Sequence, residues 1–209
     1  TVDASALGDA DGMGTVSLQW QSELSNGAWS DIAGATSTTL TLNDTHVGSS
    51  IRALATYTDD QGTFESVASS GTLPITNIND TPTGVPIIEG QTLEAAVLTA
   101  NTSGIADADG IFIINDGVYD IDPYIYQWQL SSDNSSWSDI TDVTEKTYTL
   151  TSSDVGKYVR VQSTFTDNHG TSEVVTSSAT SSIKNVNNNP TGSVVISGTT
   201  TEDATISID

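Results

Sequence analysis

Apolar residues in the stretch 83–187 recur at every second position in short bursts, the period of a strand with one face buried and one wet. In 92–100 the alternation runs through Ala96, Leu98 and Ala100, and in 124–130 Tyr126, Trp128 and Leu130 share a face. Further bursts at 85–88, 136–140, 147–150, 157–166 and 172–183 bring the set to seven, divided by turns rich in Gly, Asp, Asn and Ser. No segment of useful length carries the helical period. Seven short strands in about a hundred residues predict an all-β sandwich.

The pattern is written twice. Trp20 recurs as Trp128, Trp29 as Trp137, Gly48 as Gly156, Arg52 as Arg160, Gly62 as Gly170 and Pro82 as Pro190, every pair 108 positions apart. Such an offset marks tandem modules. Upstream of the tryptophan the copies diverge, and the second carries an insertion of ten residues around 111–124. The expected organisation is a repeat at 1–80 lacking its first strands, a full repeat at 81–188, and at 189–209 the first strands of a following one.

The joint Asn77-Ile78-Asn79-Asp80-Thr81-Pro82 returns as Asn185-Val186-Asn187-Asn188-Asn189-Pro190. Its proline forbids a helix through the boundary, and its Asn and Asp side chains are the hard oxygen ligands that calcium takes.

Composition sharpens this. Against 27 acidic residues stand 5 basic ones, a formal net charge of -22, so no surface can neutralise phosphates and no nucleic-acid partner is expected. The same excess favours bound cations. There is no Cys, which excludes disulfides and cysteine zinc sites and leaves metal as the available staple. No run approaches the roughly 20 apolar residues of a membrane helix, so no membrane insertion is expected. No signal peptide opens the residues, which read as cut from something longer.

Two features point to the immunoglobulin type of sandwich. Trp128 lies on the third strand, where that fold buries its central tryptophan, and Asp154-Val155-Gly156-Lys157-Tyr158 resembles the turn into a tyrosine corner. By that alignment Arg160 stands where a disulfide cysteine would lie. Copy one has His46 for Asp154 and Ser50 for Tyr158, so its corner hydrogen bond is expected to be missing.

The joint at 77–82 resembles the Asp-x-Asn-Asp-Asn-x-Pro linker of cadherins, and Ala106-Asp107-Ala108-Asp109-Gly110 resembles their Asp-x-Asp element. Gln-Trp-Gln, then Trp-Ser-Asp-Ile, then Asp-Val-Gly-Lys-x-x-Arg-Val and Thr-Asp-x-x-Gly-Thr-x-Glu, is similar to the tandem immunoglobulin-like repeats of very large calcium-dependent adhesins of bacterial surfaces. The resemblance covers nearly the whole chain. It implies tandem immunoglobulin-like or cadherin-like seven-strand Greek-key sandwiches, an extracellular place on a cell surface, and Ca2+ at the joints.

In a seven-strand sandwich the loops after strands two and six share an end, so Asp107, Asp109 and Asp167 should gather against Asn77, Asn79 and Asp80, with Asp44 adding from the preceding repeat. Asp9, Asp11 and Asp59 form the matching set of copy one. At the second joint the donors expected are Asn185 and Asn187 with Glu89, which the cadherin resemblance assigns, and Asp154. Asn188 has replaced the carboxylate of Asp80 there, so the second joint should bind more weakly. An Asp-x-Asp-Gly loop can be nothing but a turn, since Asp bonds its own backbone and Gly supplies positive φ. Its recurrence as Asp9-Ala10-Asp11-Gly12 favours metal.

Residues 190–209 match 82–101, the strands copy one lacks, so either a longer array supplies them or the tail of one molecule completes the head of another. Partners are therefore neighbouring repeats of the same or identical chains, with a glycan or cell-surface ligand elsewhere in the parent protein. The expected function is structural: extender repeats of an adhesin, rigidified by calcium. The alternatives are a head-to-tail filament subunit and a carbohydrate- or protein-binding module using 111–124. No enzyme is expected, because the histidines His46 and His169 sit in turns and no Gly-x-Ser-x-Gly elbow occurs.

Overall fold

A computed structural model describes residues 1–114 and 121–208. Among them there is no α-helix, and no helix is long and apolar enough to cross a membrane. The chain forms two compact units, Thr1–Gly84 with Ile105–Pro123 and Phe165–Glu173, and Val85–Gly104 with Tyr124–Thr164 and Val174–Asp209.

In the first unit β1 (Ser17–Glu23), β2 (Trp29–Asp31), β3 (Ile51–Thr58) and β4 (Phe64–Ala68) form an antiparallel sheet in the order β2-β1-β3-β4. Copy two supplies β5 (Ile87–Glu89), β6 (Val97–Asn101), β7 (Ile125–Ser131), β8 (Ser138–Asp139), β9 (Thr147–Thr149), β10 (Tyr158–Thr166) and β11 (Ser172–Thr176). These make two sheets, β11-β10-β7-β8 and β5-β6-β9. Both sheets face one core: Leu98 and Ala100 from β6, Tyr126 and Trp128 from β7, Tyr148 from β9 with Leu150 beside it, Val159 and Val161 from β10, and Ile183. The protein is all-β, with the layered character of a β-sandwich. Each of the seven expected strands of copy two has its observed counterpart.

The repeat governs the register. Trp20 faces Ala53 and Gln21 faces Arg52; 108 positions on, Trp128 faces Val161 and Gln129 faces Arg160. Both tryptophans donate their indole N–H to a carbonyl 17 residues downstream, Ser37 O and Glu145 O, each at 2.9 Å. On the opposite face Arg160 Nε donates to Gln129 Oε1 (2.6 Å), Gln129 Nε2 to Asp139 Oδ1 (2.7 Å), and the guanidinium lies 4.4 Å from the Trp137 ring centroid. Arg52, Gln21, Asp31 and Trp29 repeat this ladder. Arg160 therefore points away from the core, whose positions are Val159 and Val161. The alignment that sets Arg160 in place of an inter-sheet cysteine is corrected accordingly, since a strand's side chains alternate faces.

Three further expectations change. The second strand begins at Val97 rather than 92, because Ala95 takes φ 65 and residues 92–95 instead bond Lys184 and Leu150. The alternation of Thr with Leu at 36–41 predicts an ordinary half-buried strand, yet these residues form none; Val2 N–H donates to Thr38 O (2.7 Å), but no ladder forms. Their counterpart β9 is a strand because β6 pairs with it. The corner is also not lost in copy one. His46 is buried and its Nδ1 accepts the Asn43 N–H (3.1 Å), as Asp154 Oδ2 accepts the Thr151 N–H (2.7 Å), so imidazole and carboxylate each close a 3₁₀ turn. The buried phenol bond of copy two belongs to Tyr148, donating to Asp154 Oδ2 (2.7 Å), and not to Tyr158.

The insertion starts by extending the sheet. Ile111 bridges Asp167, and Phe112 N–H donates to Thr166 O (2.9 Å), while the Ile121 N–H reaches Ile114 O (3.1 Å). Phe112, Ile113 and Ile114 stay about half exposed instead of packing down. The expected turn Asn115-Asp116-Gly117 and Asp120 lie outside the described residues.

Candidate metal centre

The Asp107-Ala108-Asp109-Gly110 loop and the Asp167-Asn168-His169-Gly170 loop meet in the first unit, against the joint at 77–83. Thr83 and Ala106 exchange backbone hydrogen bonds (2.7 and 2.9 Å) and clamp the joint to the first loop. Gly110 lies at φ 78, a conformation that favours glycine, and faces the Asn168 side chain, whose amide would have to turn aside for a Cβ.

Each aspartate has one oxygen fastened and one bare. Asp107 Oδ1 accepts the Asp109 N–H (2.8 Å), Asp109 Oδ2 accepts the Asp80 N–H (2.7 Å), and Asp167 Oδ1 accepts the N–H groups of His169 (2.8 Å) and Thr171 (2.7 Å). The remaining oxygens, Asp107 Oδ2, Asp109 Oδ1 and Asp167 Oδ2, are buried without a hydrogen-bond partner, as is Asn77 Oδ1. Asp109 is 4% exposed and Asp167 2%. A buried acceptor left bare costs about 1–3 kcal/mol, and more when charged. The three aspartates belong to the two facing loops, where Asp109, Glu173 and Asp167 act electrostatically on Asp107, and Asn77 belongs to the joint.

The charges feel one another. Burial pushes the Asp107 carboxyl above the ordinary carboxylate range, and the nearby Asp109, Glu173 and Asp167 push the same way against the lowering effect of the Asp109 N–H. Burial also raises Asp167, but the N–H groups of Thr171, His169 and Gly170 outweigh it and hold it below the ordinary range. Asp44, Asp80 and Asp109 bring carboxylate oxygens within 4.8 Å of one another. Asn79 Nδ2 donates to Glu173 Oε1 (2.7 Å). The donors are all hard oxygens, which suits a divalent cation of the calcium kind; Asp109 is buried, while Asp44 and Asp80, whose oxygens come within 4.8 Å of it, are exposed.

Of the residues singled out in the sequence, Asp80 meets Asp109 and Asp44, Asn79 meets Glu173, and Asp107 feels Asp109 and Asp167. Asp9 and Asp59 meet each other and Glu65 within 4.8 Å, whereas Asp11 is exposed and its N–H donates to Asp9 Oδ1. Glu89 is not drawn to the second joint: its Oε1 accepts the Asn101 Nδ2 (2.6 Å) across β5 and β6, because Ile88 pairs with Ala100 beside it. The carboxylate that reaches the second joint is Glu94, accepting the Val186 N–H (3.3 Å). Asp154 is buried with its Oδ2 held by Tyr148 and Thr151, and Asn185 and Asn187 are exposed. Sequence reasoning missed Glu65 and Glu173. Each stands six positions after Asp59 or Asp167 and recurs at the 108 offset, a signal that was present.

No curated protein matches the chain. Residues 89–190 are similar to a family described as a domain of unknown function (DUF8696).

Proposed function

We propose that the chain is a pair of immunoglobulin-like, cadherin-like extender repeats of a bacterial surface adhesin, made stiff by Ca2+ at the joint of residues 77–83. The observation that carries this is the set of bare buried oxygens on Asn77, Asp107, Asp109 and Asp167. Calcium takes six to eight oxygens at about 2.3–2.6 Å, and these residues with Asp44, Asp80 and water supply that number. Without the ion, like charges repel and the loops lose their reason to stay on the joint. With it, repeat and linker move as one, which lets such repeats hold a distal binding module away from a cell. Small-angle scattering with calcium and with chelator tests this: the maximum dimension and its spread should change on chelation, and identical curves would refute it.

A second reading, head-to-tail pairing of copies, is favoured by one observation. The hairpin of β12 (Ile196–Gly198) and β13 (Ile206–Ile208) pairs Ile196 with Ile208, as β5 and β6 pair Ile88 with Ala100, and its isoleucines are more than half exposed. In copy two residues 92–96 bond Lys184 and Leu150 on either side; the matching groove of copy one, about 470 Å³ between Leu42 and Ile75, has room for such a segment. Concentration-dependent oligomers that vanish on deleting residues 190–209 would support it, and a concentration-independent monomer would end it.

A further inference from the structure

The acidic end of copy one is built from the same positions as the candidate metal centre. Asp59 and Glu65 stand 108 residues before Asp167 and Glu173, and Asp9 holds the first place of the Asp-Ala-Asp-Gly loop as Asp107 does. The loops differ at Asp60 and Gln61 against Asn168 and His169, and one further difference lies on the strand. On β3 the position facing the acids is Tyr57, and on β10 it is Phe165.

The Tyr57 hydroxyl lies 3.0 Å from Asp9 Oδ2 and 2.9 Å from Glu65 Oε2. Glu65 is its cross-strand partner on β4, so the register of the sheet holds the contact in place. The phenol is buried, with 6% exposure, and its hydroxyl is a hydrogen-bond donor. Its single proton answers carboxylates that would otherwise be bare. At the other end a phenyl ring has no proton to give, and Asp107 Oδ2, on the counterpart of Asp9, is without a hydrogen-bond partner.

We infer that the residue at this strand position sets the cation affinity of each acidic end: phenylalanine at 165 leaves the carboxylates to a cation, and tyrosine at 57 occupies them with its own hydroxyl. A cation entering the first end must displace the one hydroxyl proton that Asp9 and Glu65 share, or turn the O–H dipole away from them. Entering the second, it meets oxygens already desolvated and unengaged, so nothing is given up there. This rests on the reading of Asn77, Asp107, Asp109 and Asp167 as a divalent-cation site.

Calcium titration of the full chain by calorimetry tests it, using the wild type, Asp109→Asn, Phe165→Tyr and Tyr57→Phe. A hydrogen bond to a charged group is worth enough that Phe165→Tyr should weaken the main binding event by about tenfold or more, and Tyr57→Phe should add or tighten a second event by a similar factor. A wild type that binds no calcium, or binds it unchanged in Asp109→Asn, overturns the metal reading itself. Binding that is lost in Asp109→Asn yet stays within about twofold in both ring variants leaves that reading standing and overturns this inference. Tyr57→Phe removes one oxygen and no packing, so the question is decided by it even where Phe165→Tyr does not fold.

Discussion

The two copies of the repeat share a four-stranded sheet down to the register and the Arg-Gln-Asp ladder, yet they differ in what lies over that sheet. In copy two β5-β6-β9 covers it, and Trp128 is fully buried against Tyr148, with ring centroids 5.7 Å apart. In copy one Val2 and Leu7 lie near Leu18, Ala53 and Ala55 around a cavity of about 130 Å³, and Trp20 is only half-buried. Local sequence and strand pairing reproduce the sheet wherever the motif occurs, but burial of its inner face depends on a second layer contributed from elsewhere in the chain.

The largest effect should separate the two tryptophans. Trp128→Ala is expected to destabilise copy two by about 3–5 kcal/mol, since it empties a packed core and frees the Glu145 carbonyl, and Trp20→Ala should cost about half as much. Denaturant unfolding of both variants measures it, and equal losses would break the contrast.

Next is the acidic end. At calcium a hundredfold above its dissociation constant the wild type should gain about 2.7 kcal/mol, a gain that Asp109→Asn removes. In chelator the same variant should melt no lower than the wild type, because it deletes a charge from a repulsive group. Thermal melting in the four combinations checks this.

A smaller effect concerns the turn into the second strand. Ala95 sits at φ 65, and its repeat counterpart Asp203 at φ 66. A left-handed alanine costs about 1–2 kcal/mol, so Ala95→Gly should stabilise the fold by about 1 kcal/mol, while Asp203→Gly should do less because Asp tolerates this region.

The smallest is a pH effect confined to copy two. The N–H groups of Ser136 and Ser135 and the Ser131 hydroxyl hold Asp133 well below the ordinary carboxylate range. A lowered folded pKa means its contribution is full above the unfolded value of about 3.9 and is lost as pH falls further. Copy one has Ser25 at that position, so acid melting curves of the wild type and Asp133→Asn should differ at pH 7 and draw together as pH falls below the unfolded value of about 3.9.

The sandwich strands and the meeting of the loops at 107–110 and 167–170 with the joint were legible from residues alone, because strand period, turn chemistry and the 108-residue recurrence are local or self-comparing signals. Thr36–41 shows the limit: its alternation is as good as that of 147–150, but a strand exists only where another pairs with it. Glu89 shows a second limit, since a carboxylate takes the nearest donor, and Asn101 across the hairpin is nearer than any joint. Glu65 and Glu173 lay in plain view but needed the β3–β4 register to become neighbours of Asp59 and Asp167.

Residue order alone determined the repeat, the all-β character, the cation-seeking charge and the identity of most gathered acids. Only the tertiary structure decided which oxygen of each carboxylate is tied to a backbone N–H and which is left bare. Those choices turn on distances of a few tenths of an ångström between segments up to a hundred residues apart, and a hydrogen bond exists or fails at that scale.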